Sequence, residues 1–118
     1  MESILTSIKK MLGVDVNYTF FDPDIVIYIN SALSALTQLG VGPSEGFSIQ
    51  DENAIWSDFI GNDPRLENVK TYTYLKVKLV FDPPQSSSHI EAIKHQINEL
   101  EFRILVTVNQ REEEIQNG

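Results

Sequence analysis

The chain has 118 residues, no cysteine, and 17 acidic against 9 basic side chains, giving a formal net charge of −8. That length suits one domain with one core, and 42% hydrophobic with 22% charged residues excludes wholesale disorder. Disulfides, thiolate metal sites and cysteine nucleophiles are excluded, no apolar run reaches the roughly 18 residues of a membrane span, and the acidic balance argues against gripping nucleic acid over the whole surface.

Ser3 to Leu12 places Ile4, Leu5, Ile8, Met11 and Leu12 at helical spacing, and Gly13 serves as the stop. Lys9 and Lys10 fall in the last turn, where cations complement the helix dipole. The lysines follow the apolar residues and no small-residue cleavage site appears, so this segment is expected not to be a signal peptide. Val14, Val16 and Tyr18 then alternate through a connector to Phe20 and Phe21. A second helix is signalled by Asp22 as cap, Pro23 in the first position and Asp24 near the positive end of the dipole. Its apolar stripe is Ile25, Ile29, Ala32, Leu33, Leu36 and Leu39, widened at the start by Ile27 and Tyr28 and terminated by Gly40. Capping accounts for Asp22 and Asp24, two carboxylates that could otherwise serve acid–base or metal chemistry. Residues 41–50 read as a short β-hairpin or an extended loop, and their glycines lack the spacing of a phosphate-binding loop. Asp51 to Ile60 is a one- or two-turn helix with Ala54, Ile55 and Phe59 inward, and its Trp56 suits a core or a subunit contact.

Val69 to Pro84, VKTYTYLKVKLVFDPP, admits two local readings. Tyr72, Tyr74, Val77, Leu79 and Phe81 alternate with polar residues as in a strand. Taken from Asp63, the same run has an N-cap, Pro64 in the first helical position and a double-proline stop. A strand would need a partner, and Arg103 to Val108 is the one comparable alternating run, so a helix from about Pro64 to Phe81 is expected. It is apolar on nearly every side, which calls for more than one covering neighbour and suggests packing between subunits. Residues 88 to about 114 form a long helix with Ile90, Ile93, Ile97, Leu100 and Ile104 as its seam, widened by Phe102 and Leu105 and supported by Glu91–His95 and Glu99–Arg103 at i,i+4. Residues 109–118 read as a flexible, solvated tail of a single domain spanning 1–118.

No constellation for catalysis emerges. His89 and His95 are six residues apart, on different faces of a helix, and Glu112 to Glu114 read as solvated. An enzyme, a metal and a cofactor are therefore not expected. An accessory nuclease using Asp22, Asp24, Asp51 and Glu52 would be the enzymatic rival.

Two linked motifs carry a resemblance. Tyr72, Tyr74, Lys76, Lys78, Phe81, Asp82, Pro83 and Pro84, followed further on by Glu99, Leu100, Glu101, Phe102 and Arg103, resemble the head-tail connector family of tailed bacteriophages. Ile29 to Pro43 and Trp56 fit the same pattern, while Phe102 stands where a tryptophan is expected. The resemblance implies a mainly α protein, a bundle of roughly four to five helices, acting without catalysis as a head-completion and DNA-packaging adaptor. It implies a ring of copies docked beneath the portal, extending the DNA channel and meeting a downstream connector or tail protein. Packaged DNA would pass without sequence-specific binding, and no membrane is involved. The protein would be made in the bacterial cytoplasm and end in the virion, at the capsid–tail junction. Trp56, Tyr72, Tyr74, Lys76, Lys78, Phe102 and Arg103 are the candidate subunit or partner interface. The alternative is a phage-encoded helical module that regulates or engages a host factor; no basic recognition helix suggests direct DNA reading.

Overall fold

A computed structural model describes residues 2–117, and among them the chain forms five α-helices and no strand. α1 is Ile4–Leu12, α2 Asp22–Gln38, α3 Trp56–Ile60, α4 Asn68–Phe81 and α5 Ser87–Asn117, with a 3-10 turn at Pro64–Leu66 leading into α4. Met1 and Gly118, the latter the last residue of the expected tail, lie outside the described residues.

The helix reading of the central run holds, in two pieces. Asp63 Oδ1 accepts from the Arg65 amide at 2.9 Å, capping the 3-10 turn that Pro64 opens. The chain passes directly into α4, whose buried residues Val69, Tyr72, Thr73, Leu75 and Val77 spread over about half of its circumference. α4 packs most extensively against α2, then α5, and also touches α1. Three helices of the same chain thus supply the several covering neighbours that its broad apolar surface calls for. What α4 leaves uncovered is its last turn, where Val80 is exposed.

α2 and α4 run antiparallel, as the contact of Phe21, just before α2, with Phe81, at the end of α4, requires. Ile25, Ile29, Ala32, Leu33 and Leu36 are buried, as the sequence stripe predicts, while Leu39 is half-buried as the C-cap. Asp22 is not a side-chain cap. It is the first residue of the helix, Phe21 takes the cap position, and the Asp22 carboxylate turns to Lys9. Lys9, expected to complement the dipole from the last turn, is 2% exposed and donates to the carbonyls of Val16 at 3.1 Å and Tyr18 at 2.9 Å. Asp22 Oδ1 lies 2.8 Å from Lys9 Nζ, an ion-pair approach rather than an aligned hydrogen bond. One buried ammonium therefore fixes the α1–α2 connector.

The 41–50 segment is an extended loop rather than a hairpin. The Asn30 side chain supplies what a neighbouring strand would: its Oδ1 accepts from Ile49 N at 2.8 Å and its Nδ2 donates to Ile49 O at 2.9 Å. The expected helix from Asp51 shortens to α3, because Ile4 N and Ala54 O pair at 3.0 Å and Ser3 forms an isolated antiparallel bridge with Ile55. At the end of α2, Gly40 has φ +100°, and a Cβ there would meet Val108 Cγ1 at 2.8 Å, so glycine permits α5 to lie close.

α5 has 31 residues, which at 1.5 Å per residue gives roughly 46 Å, matching the longest molecular extent of 47 Å. It runs antiparallel to α4 and buries Ile97, Leu100, Ile104 and Val108. Ile90 and Ile93 of the predicted seam are half-buried, and nothing in 87–96 is fully buried. Glu91 pairs with Lys94 at 3.6 Å rather than with His95, and Glu99 with Arg103 at 2.6 Å as expected. The helix continues to Asn117 through residues expected to be a flexible tail. Arg111 contacts Asp63 at 3.1 Å and Glu114 contacts Arg65 at 2.8 Å, tying the end of α5 to the 3-10 turn. Hydrogen bonds from the Arg65 side chain and amide, ahead of the Coulombic pull of both arginines, hold the Asp63 carboxyl at about 2 instead of 3.8.

Candidate assembly surface

The residues picked from sequence as an interface divide between inside and outside. Trp56 opens α3 and is buried, its indole N–H donating to Ser7 Oγ at 2.7 Å. Tyr72 is 0% exposed, and its hydroxyl donates to Glu101 Oε2 at 2.9 Å. Burial first, and the Glu101 carboxylate second, push the Tyr72 phenol well above its ordinary value of 10.0. For Trp56 and Tyr72, core packing replaces the expected contact role: both polar handles are satisfied inside the chain. Tyr74 is half-buried against the core. Lys76 Nζ sits 5.9 Å from the Tyr72 ring centroid, and Lys78 pairs with Asp82 at 2.9 Å. Phe102 is 68% exposed, with Arg103 beside it held to Glu99.

Two apolar surfaces remain on the outside. One is the outer face of α5, where Phe102, Leu105 and Val106 are exposed at i, i+3 and i+4. At 100° per residue this trio faces away from the Ile97, Leu100, Ile104 and Val108 stripe that meets the body. The other begins at the connector before α2. Phe20 is 73% exposed and Tyr18 is exposed beside it, and both lean on Phe21, at 5.1 and 5.8 Å between centroids, which in turn meets Phe81 at 5.4 Å. Between α2 and α4 runs a groove of about 190 Å³ lined by Tyr28, Ser31, Ala32, Lys76, Leu79 and Val80. Scattered exposed apolar residues are ordinary, whereas apolar residues gathered on one face mark contact surfaces.

Phe102 and Leu105, expected to widen the buried seam of α5, lie instead on its outer face, and Val106, Phe20 and Val80 were not among the residues singled out from sequence. The α5 trio had a readable signal, since its helical spacing sets it on the side opposite Leu100 and Ile104. Phe20 had none, because exposure within an irregular connector is decided by Lys9, whose own burial is invisible to periodicity.

Among the described residues, no group of three or more His, Asp or Glu side chains is placed to hold a metal ion, and no helix is long and apolar enough to cross a membrane. Of the carboxylates weighed for an enzymatic rival, Asp22, Asp51 and Glu52 border one cavity of about 250 Å³. There Asp22 faces Lys9, and Asp51 accepts from the Asn53 amide at 2.9 Å. A wider cleft, about 520 Å³, is polar and open, lined by Asn30, Ser34, Thr37 and the Ser44–Ser48 arm. Neither cavity assembles a nucleophile with a base.

The surfaces thus fit a part that contacts other proteins better than a reaction centre. Comparison with curated proteins and with solved structures gives no match. A family model described as "Phage connector protein" matches residues 4–111, from the first turn of α1 to the point where Arg111 meets Asp63. Covering nearly the whole helical body, that match shows that the chain belongs to the phage connector protein family, a head-tail connector whose role is structural.

Proposed function

We propose that the protein is a ring-forming head-tail connector that docks beneath the portal, extends the DNA channel, and joins the capsid to the tail. The family match over residues 4–111 carries this reading. Two apolar surfaces left uncovered by the chain's own packing support it, since a ring subunit must meet neighbours on either side and partners above and below. The net charge of −8 suits a channel wall that DNA slides past, because a surface poor in uncompensated Lys and Arg does not hold phosphates. No catalysis is required of it. The subunit supplies shape, an apolar contact and an acidic lining, and its place in the virion is the capsid–tail junction.

The reading is tested in a phage from which this coding sequence is deleted. Heads and tails should then accumulate unjoined, and supplying the intact chain should restore finished particles. Joined, infectious particles in its absence would overturn the proposal.

A further inference from the structure

The outer face of α5 and the α2–α4 groove cannot meet within one chain. α5 packs on α4 through Ile97, Leu100, Ile104 and Val108, so Phe102, Leu105 and Val106 look away from the groove that contains Lys76 and Val80. We infer that these two surfaces are the two halves of one contact between copies: Phe102, Leu105 and Val106 of one copy seat in the Tyr28–Lys76–Val80 groove of the next. This deepens the connector reading and rests on it.

Charge selects this pairing over the alternative of like against like. The exposed face of α5 carries Glu91, Glu99, Glu112 and Glu113 against Lys94 and Arg103, and both cations are already held, by Glu91 and Glu99. Two such faces brought together would set acids beside acids. The groove instead offers Lys76, which has no carboxylate within ion-pair distance among the described residues and rests over the Tyr72 ring. An acidic helix face with an aromatic knob therefore meets an apolar groove with a free cation. Such a contact is heterologous, and repeated heterologous contacts close into a ring when the rotation allows. The three knob side chains alone fall short of the roughly 800 Å² per partner of a standard stable interface. Copies accordingly pair when a template holds them side by side, through effective concentration.

The absence of native cysteine makes the test clean. Full-length Phe102→Cys and Val80→Cys copies, mixed on portal-bearing heads and then oxidised, should give a 102–80 cross-linked dimer that neither variant yields alone. A Phe102→Cys self-dimer, or assembled copies with no 102–80 cross-link, would overturn the pairing and leave the connector reading standing. Copies that never assemble on the heads would remove both. As an independent arm, Phe102→Asp, exposed and so expected to melt like the parent, should cut incorporation into particles at least about tenfold. Incorporation equal to the parent would overturn the proposal, and Lys76→Glu should reproduce the loss from the opposite side of the contact.

Discussion

Replacing Lys9 with Met should be among the most damaging conservative changes in the molecule. The methionine keeps the stem's packing and deletes only the ammonium, which serves three acceptors: Val16 O at 3.1 Å, Tyr18 O at 2.9 Å and Asp22 Oδ1 at 2.8 Å. Removing one member of a buried pair typically costs about 3–5 kcal/mol, because the charge left behind is uncompensated. Asp22 keeps some access to water, its side chain being 24% exposed, which lowers the expected loss to about 2–4 kcal/mol. Against a total stability of roughly 5–15 kcal/mol that is a large fraction, and for a domain of this size it corresponds to a fall in Tm of about 8–15 °C. Asp22→Asn should cost less, about 1 kcal/mol, since both carbonyls still hold the ammonium. The double variant Lys9→Met/Asp22→Leu should lose less than the sum of the singles. Thermal unfolding followed by circular dichroism reads all of these. A Lys9→Met Tm within a degree or two of the parent would show that Lys9 does not anchor the connector and would refute the argument.

Other perturbations have outcomes fixed by the same geometry. Gly42 has φ +75°, and an added Cβ would meet the Phe59 ring at 2.6 Å, so Gly42→Ala should cost about 1–3 kcal/mol by denaturant titration. Tyr72→Phe should cost about 0.5–1.5 kcal/mol at neutral pH through the lost bond to Glu101. The Tyr72 phenol is raised in the fold, so the unfolded chain releases its proton first; stability is full below pH 10 and falls above it, and Tyr72→Phe should flatten that alkaline loss in melts between pH 9 and 12. Asp63 is lowered, from 3.8 to about 2, so its contribution is present above the ordinary value and is lost as pH falls towards 2. Carboxyl chemical shifts should place its midpoint about two units below an ordinary aspartate. Asp63→Asn should speed amide exchange in residues 109–117, where the ion pairs to Arg65 and Arg111 anchor the helix end.

Much of the fold was legible because it is carried by periodicity and punctuation. The α2 stripe, the stop at Gly13, the Asp63–Pro64 start and the Ile97–Leu100–Ile104 part of the α5 seam all follow from local spacing, and the structure reproduces them. What was not legible depends on residues distant in sequence. Lys9 looks like a surface lysine until residues 16 to 22 fold over it. Asn30 looks like a polar face until Ile49 arrives as its backbone partner. The pairing of Arg111 with Asp63 and of Glu114 with Arg65 could not be read from residues 109–117 alone. The assembly surface divides the same way. Tyr72 and Trp56 have the composition of contact residues, yet Glu101 and Ser7 claim their polar groups inside the chain. Phe102, expected to widen the α5 seam, stays outside because its position on the helix turns it away from Leu100 and Ile104.

The central claim is that this chain is a connector subunit working at the portal. Electron cryomicroscopy of portal-bearing heads incubated with the purified protein tests it most directly. A ring of helical density is expected under the portal, continuous with the DNA channel, in which α5 of each copy lies against α2 and α4 of its neighbour. Bare portals at saturating protein, or density bound elsewhere on the capsid, would contradict it.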